Sequence, residues 1–156
     1  MINGNTRIIS PKIYPDELFS ESEILGILLY LWYQNDKHRV VALDVAIDNI
    51  IPIIQSRNFA IFIVDDVPIG YVNWIYLSED QQQHYLNNQL SYVEAVKAYS
   101  VDGDHKDIWL MTWFNCQKNH RMHRLSEKYI FKGRKVCFVY HKSTGNTKKI
   151  ISRIVN

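Results

Sequence analysis

Between Phe59 and Leu77 the sequence leaves the chain little choice. Phe59 to Val64 and Ile69 to Leu77 are two runs of β-branched and aromatic residues, separated only by Asp65-Asp66-Val67-Pro68. Runs of that kind joined by a cluster of turn formers read as an antiparallel hairpin. The remaining elements must be laid around it. Upstream, Ser20 followed by Glu23 is a capping-box signature, with Phe19 and Ile24 placed as a hydrophobic staple. The helix it opens, apolar on nearly every side from Ile24 to Trp32, is expected to be buried and to release the chain at Gln34-Asn35-Asp36. Leu43, Ile47, Ile50, Ile51 and Ile54 repeat with helical spacing, and Pro52 is expected to kink that helix or to start a new turn.

Downstream, Ser78 with Gln81 caps a short helix to about Asn87, and Leu90 to Tyr99 reads as another. After a loop at Asp102-Gly103-Asp104, Ile108 to Phe114 reads as a strand, Asn119 to Tyr129 as a helix and Lys135 to Tyr140 as a strand. Thr147 to Val155 reads as a short amphipathic helix. Helices interleave with strands around a central hairpin. The expected fold class is therefore α/β (α+β), with a mixed, largely antiparallel sheet flanked by helices.

A length of 156 residues suits one core, expected over residues 18–156 behind an N-terminal arm at 1–17. Apolar residues at 47% and charged residues at 22% argue against disorder, and a net charge of +2 is too mild to imply nucleic acid. Cys116 and Cys137 form no motif, which fits a reducing compartment. Met1 to Pro15 lacks a secretory signal pattern, and the apolar stretch from Ile24 to Trp32 falls short of the roughly 20 residues of an integral membrane span. A soluble cytoplasmic protein is expected.

Phosphate-binding loops, dinucleotide fingerprints, nucleophile elbows and paired CxxC motifs are all missing from the sequence. His120 and His123 lie three apart between arginines, which reads as a solvated basic face, and no metal site is expected. His38 follows a buried helix end after a short polar loop, so it is held at the rim of the core. Position alone would make it an ordinary surface histidine.

An ordered series of motifs changes that reading. Leu25-Gly26, Leu31-Trp32 and His38-Arg39 come first, followed by Ile50-Ile51-Pro52-Ile53-Ile54. Pro68-Ile69-Gly70-Tyr71-Val72-Asn73-Trp74, Leu77-Ser78 and Tyr85-Leu86-Asn87 come next, and then Gly103-Asp104 and Trp109-Leu110-Met111-Thr112-Trp113. The series covers most of the chain and resembles the toxin-activating acyltransferases, which fatty-acylate lysines of RTX protoxins. The resemblance implies a GNAT-like acyltransferase fold, a possible homodimer, and acyl-carrier protein as donor. It also implies a histidine that takes the proton from the acceptor amine, here His38. A lysine amine is protonated at neutral pH and must lose a proton to attack, so a base with a pKa near 7 suits the task.

The resemblance also marks Arg39, Trp74, Trp113 and Arg134 as substrate-binding candidates. Its orienting Asp is replaced by Thr112, and its Ser three residues before the histidine by Asn35; both are carried as catalytic candidates. Asn115-Cys116-Gln117-Lys118 and Cys137 are further departures. Asp36, Asp104 and Asp107 are candidates to stand in for the lost carboxylate, and Cys116 is a minor candidate nucleophile. The tryptophans have packing as their default role. The basic tract Arg121, Arg124, Lys128, Lys132, Arg134 and Lys135 has a solvated face as its default, with an acidic carrier or peptide as a minority use.

Because the departures gather at the site, the favoured expectation is maturation of a secreted bacterial product. That would be the joining of a microcin C-terminus to a glycosylated catecholate siderophore with a companion maturation protein, as the family's presence in class IIb microcin clusters implies. The alternative is fatty acyl transfer from acyl-carrier protein to a lysine of an RTX protoxin. A second alternative is a non-catalytic scaffold subunit. No tightly bound cofactor is expected. Acyl-carrier protein serves as donor only in the first alternative, and the partner is a precursor peptide or a protoxin.

Overall fold

The computed structural model describes residues 2–87, 90–116, 120–141 and 148–156. Among these, seven strands form one sheet in chain order: β1 (Ile2–Asn3), β2 (Thr6–Ile9), β3 (Phe59–Val64), β4 (Val67–Leu77), β5 (Asp107–Asn115), β6 (Lys135–His141) and β7 (Lys148–Ile154). Every pairing is antiparallel except β5 with β6. The helices are α1 (Glu21–Tyr33), α2 (Leu43–Ser56), α3 (Glu79–Leu86), α4 (Tyr92–Ala98) and α5 (His120–Tyr129). The mixed, largely antiparallel α/β sheet is thus as expected, and its order is compatible with a GNAT-like fold.

The hairpin turns on Asp65 and Asp66, both with positive φ (51° and 60°), as a two-residue connection matched to strand twist requires. Alternate residues of β3 and β4 supply two cores. Ile9, Phe59, Ile61, Ile63 and Tyr71 pack under α1 and α2 with Ile24, Leu28, Leu31, Ile50 and Ile53. Ala60, Phe62, Val72, Trp74 and Tyr76 pack on the opposite face with Met122, Ile130 and Phe131. A third cluster, around Trp109, Ile75 and Val96, lies under α3 and α4.

Ser20 accepts from the Glu23 amide at 3.0 Å, but the Glu23 carboxylate bonds Arg7 at 3.0 Å rather than closing the capping box. Ser78 and Ser91 each head a complete box, for α3 and α4. Three expectations are corrected. The 1–17 arm is partly sheet: β2 pairs with β3, and Ile8 and Ile9 are buried. Pro52 starts no new turn: it lies inside one continuous α2, where its ring is buried and a single helical hydrogen bond is forgone. The tail is a strand, not a helix, because pairing with β6 and its β-branched isoleucines prevail over a weak helical pattern. α1 also exposes more than its composition suggests, with Tyr30 and Tyr33 turned outward. The expected helix start at Asn119 and tail start at Thr147 lie outside the described residues.

β5 and β6 pair only at Ile108↔Val136 and Trp109↔Cys137. Just past that point β5 carries a bulge: Asn73 faces Thr112 while Trp74 faces Leu110, leaving Met111 as the extra residue. The strands then part, and that divergence positions the site.

Candidate active site

His38 sits in the turn that ends α1. Its amide and that of Arg39 both donate to the Asn35 carbonyl, at 3.0 and 2.9 Å. Its ring meets Trp32 edge-on at 4.8 Å and Phe114 edge-on at 5.1 Å, so α1 and β5 hold it between them. Phe114 in turn stacks on Tyr71 at 5.3 Å. The Asn35 side-chain oxygen lies 2.9 Å from His38 Nδ1 and also accepts the Lys37 amide at 3.0 Å. Partial burial, and then the neighbouring Lys37 charge, lower the His38 pKa below its ordinary value. The shift favours the neutral imidazole, the form a base requires.

Thr112 lies beneath the same face but does not bond His38. Trp32 Nε1 donates to Tyr71 Oη at 3.0 Å, and Tyr71 bonds Thr112. Thr112 Oγ1 lies 3.1 Å from Tyr92 Oη, which donates to Asn73 Oδ1 at 3.0 Å. Tyr92 spends its proton on Asn73 Oδ1 and so accepts from Thr112, while the buried Asn73 NH₂ finds no partner among the described residues. Such a chain polarises its members cooperatively. Burial raises the pKa of both tyrosines, so they remain neutral donors. Tyr71 and Tyr92 were not singled out from sequence. The Tyr-x-x-Trp motif contained Tyr71, but nothing in the sequence signalled its connection to Tyr92.

Where β5 and β6 part, a cavity of about 510 Å³ opens. Leu110, Phe131, Val136, Phe138, Ile151 and Val155 make it apolar, while Met111 and Val139 belong to the cluster on the other face of the sheet. The cavity therefore reaches between the strands. Trp113, 39% exposed, stands at its rim, and the next residue on β5, Phe114, carries the His38 ring. The strand divergence thus brings an apolar slot and the imidazole to opposite sides of consecutive residues.

The other candidates lie elsewhere. Trp74 is 1% exposed and donates to Tyr76 Oη at 3.0 Å within the α5-side core, so it is not positioned to touch a substrate. Arg134 grips Asp102 in a bidentate pair (3.1 and 3.0 Å) and lies over the Tyr76 ring, fastening the loop before β5. Its charge is already matched. Arg39 pairs with Asp36 at 3.7 Å and covers Tyr33, close to His38 in the chain but turned to solvent. Asp107 pairs with Lys135, and neither it nor Asp36 replaces a carboxylate at His38. Burial raises the Cys116 thiol pKa and its nearest polar partner is the Leu31 carbonyl, an arrangement that does not activate a nucleophile. His123 pairs with Glu127 at 3.3 Å, and no group of three His, Cys, Asp or Glu among the described residues is arranged to hold a metal ion. The basic tract is divided among separate contacts, with Arg121 reaching Asn5 and Thr6 and Arg134 reaching Asp102. No helix among the described residues is long and apolar enough to cross a membrane.

Fold and site together define a class: an α/β protein with a neutral histidine at the rim of one sheet face and an apolar slot between two parting strands. The chain belongs to the RTX toxin acyltransferase family, whose model matches residues 17–154. It is similar to the leukotoxin-activating lysine-acyltransferase LtxC of Aggregatibacter actinomycetemcomitans, 32% identical over 95 residues, covering 58% of this chain and 51% of the relative. It is likewise similar to the protein-lysine myristoyltransferase HlyC of Escherichia coli, 32% identical over 91 residues with the same coverage. The RTX-II toxin-activating lysine-acyltransferase ApxIIC of Actinobacillus pleuropneumoniae is 26% identical over 100 residues, covering 62% of this chain and 57% of the relative. The chain spans about half the length of the curated relatives it matches. These similarities favour the lysine-acylation alternative; the microcin–siderophore reading gains no support from them.

Proposed function

We propose that the chain transfers a fatty acyl group from the thioester of acyl-carrier protein to the ε-amine of a lysine in an RTX-type protoxin, in the cytoplasm. The observations behind this reading are the His38 imidazole resting on Phe114 and the apolar slot bordered by Trp113, on opposite sides of consecutive residues of β5. The slot's volume lies within the usual range for ligand pockets, roughly 300–1,000 Å³, and its apolar lining suits an acyl chain. The bulge and the divergence after Trp109 let the thioester approach β5 between the strands.

His38 takes a proton from the lysine ammonium, the free amine attacks the thioester carbonyl, and the C–S bond breaks. An amide forms and the carrier's thiol leaves with a proton. A positioned general base contributes about 10²–10⁴ in rate. Trp113 at the rim contacts the acyl chain as it enters, and Thr112 holds the floor beneath His38 through its hydroxyl chain. No tightly bound cofactor enters the reaction. A companion maturation protein or a second copy of the chain is part of the proposal.

The test is incubation with fatty-acylated carrier protein and a protoxin fragment, followed by mass spectrometry of the product. Lysine amide stable to hydroxylamine is the expected outcome. Absence of transfer, alone and with companion proteins, contradicts the reading.

A further inference from the structure

Resting on the reading of His38 as the base, we propose that Asn35 is the positioning residue that sets its tautomer, keeping the proton on Nδ1 and leaving the Nε2 lone pair to receive the substrate proton. The argument turns on one oxygen. Asn35 Oδ1 accepts the Lys37 backbone amide at 3.0 Å, and a backbone N–H can only donate. Flipping the amide would set its NH₂ against that N–H, donor to donor, so the backbone fixes which end faces His38. The same oxygen lies 2.9 Å from Nδ1, and an acceptor there requires Nδ1–H. Edge-on contacts from Trp32 and Phe114 oppose the ring flip that would put Cδ2 in place of Nδ1 against Asn35.

Among the described residues nothing else packed around the ring competes for this role. Thr112 is committed to Tyr71 and Tyr92, Asp36 faces Arg39, and Asp107 faces Lys135. Trp32 of α1 and Phe114 of β5 bring no charge, and Lys37 is the charged neighbour acting on the imidazole among the described residues. The site thus orients its base with a neutral amide placed three residues before it, in the same turn, and does without a carboxylate from β5.

Nitrogen-15 NMR of His38 in the full chain reads the tautomer directly and does not depend on acyl transfer, so its failure is distinct from failure of the proposed function. A protonated Nδ1 and an unprotonated Nε2 are expected. Asn35→Ala should move the ring toward Nε2–H and slow transfer about 10²-fold, the lower end of what a positioned base contributes. Asn35→Asp keeps the acceptor and the turn, so it should retain Nδ1–H. Its added charge raises the imidazole pKa and moves the acid limb of the pH–rate profile to higher pH. An Nε2–H tautomer in the parent chain, or Asn35→Ala with unchanged ring signals, overturns the proposal.

Discussion

Gly70 supports the site from beneath, and replacing it with alanine tests how closely β4 and β5 must pack. A Cβ at Gly70 would fall 2.2 Å from the Phe114 carbonyl oxygen, 2.6 Å from Met122 Sδ and 3.2 Å from Asn115 Cα. Met122 can swing aside, but the carbonyl belongs to the neighbouring strand, which must move by about 1 Å to reach ordinary contact. Overpacking of this kind costs about 1–3 kcal/mol, and weakening the Gly70–Asn115 part of the ladder adds about 1 kcal/mol. For a chain of this size each kcal/mol lowers Tm by about 2–4 °C, so Gly70→Ala should melt roughly 5–15 °C lower. The displaced residue is Phe114, on which the His38 ring rests, so transfer should fall at temperatures where the variant remains folded. Gly26→Ala is the control. Its Cβ meets nothing within 4 Å in the interior of α1, and exchange of glycine for alanine in a helix should stabilise by about 0.5–1 kcal/mol. Thermal and denaturant unfolding of both variants measure the contrast. Equal melting of Gly70→Ala and the parent would refute the close-packing argument.

The lowered His38 pKa has a stability consequence. The unfolded imidazole protonates near 6.5 and the folded one only at lower pH, so stability present above about 6.5 should fall as pH drops toward the folded pKa and level off below it. His38→Gln should flatten that slope in denaturant titrations across the range. Leu110→Trp should narrow the slot and slow transfer of long acyl chains more than short ones, checked by a chain-length series. Asp102→Asn should cost under about 1 kcal/mol, because both partners are substantially exposed, and salt should shrink the difference.

What could be read from the sequence was local. The hairpin, the Ser20 and Ser78 helix starts and the parting of α1 from the turn at Asn35 each depend on residues within a few positions of one another. The tail strand and β2 depend on partners far away in the chain, at Lys135–His141 and Phe59–Val64, and no short window contains that information. The same division runs through the site. His38 and Asn35 lie in one turn and were legible through a motif. The series Trp32, Tyr71, Thr112, Tyr92 and Asn73 draws on two helices and two strands, and closes only once the sheet has formed. Trp74 and Arg134 matched the motif series, yet the fold placed one in a core and gave the other a carboxylate partner. The slot has no residue signature at all, because it arises from where two strands stop pairing.

The central claim is that His38 is the working base of an acyl transfer. Single-turnover transfer from an acyl-carrier thioester to a lysine-containing protoxin fragment, with His38→Ala beside the parent and with free imidazole added to the variant, measures it most directly. The expected result is a loss of about 10²–10⁴ in rate, partly restored by imidazole, in a protein that melts with the parent. A variant that transfers at the parent rate would contradict it.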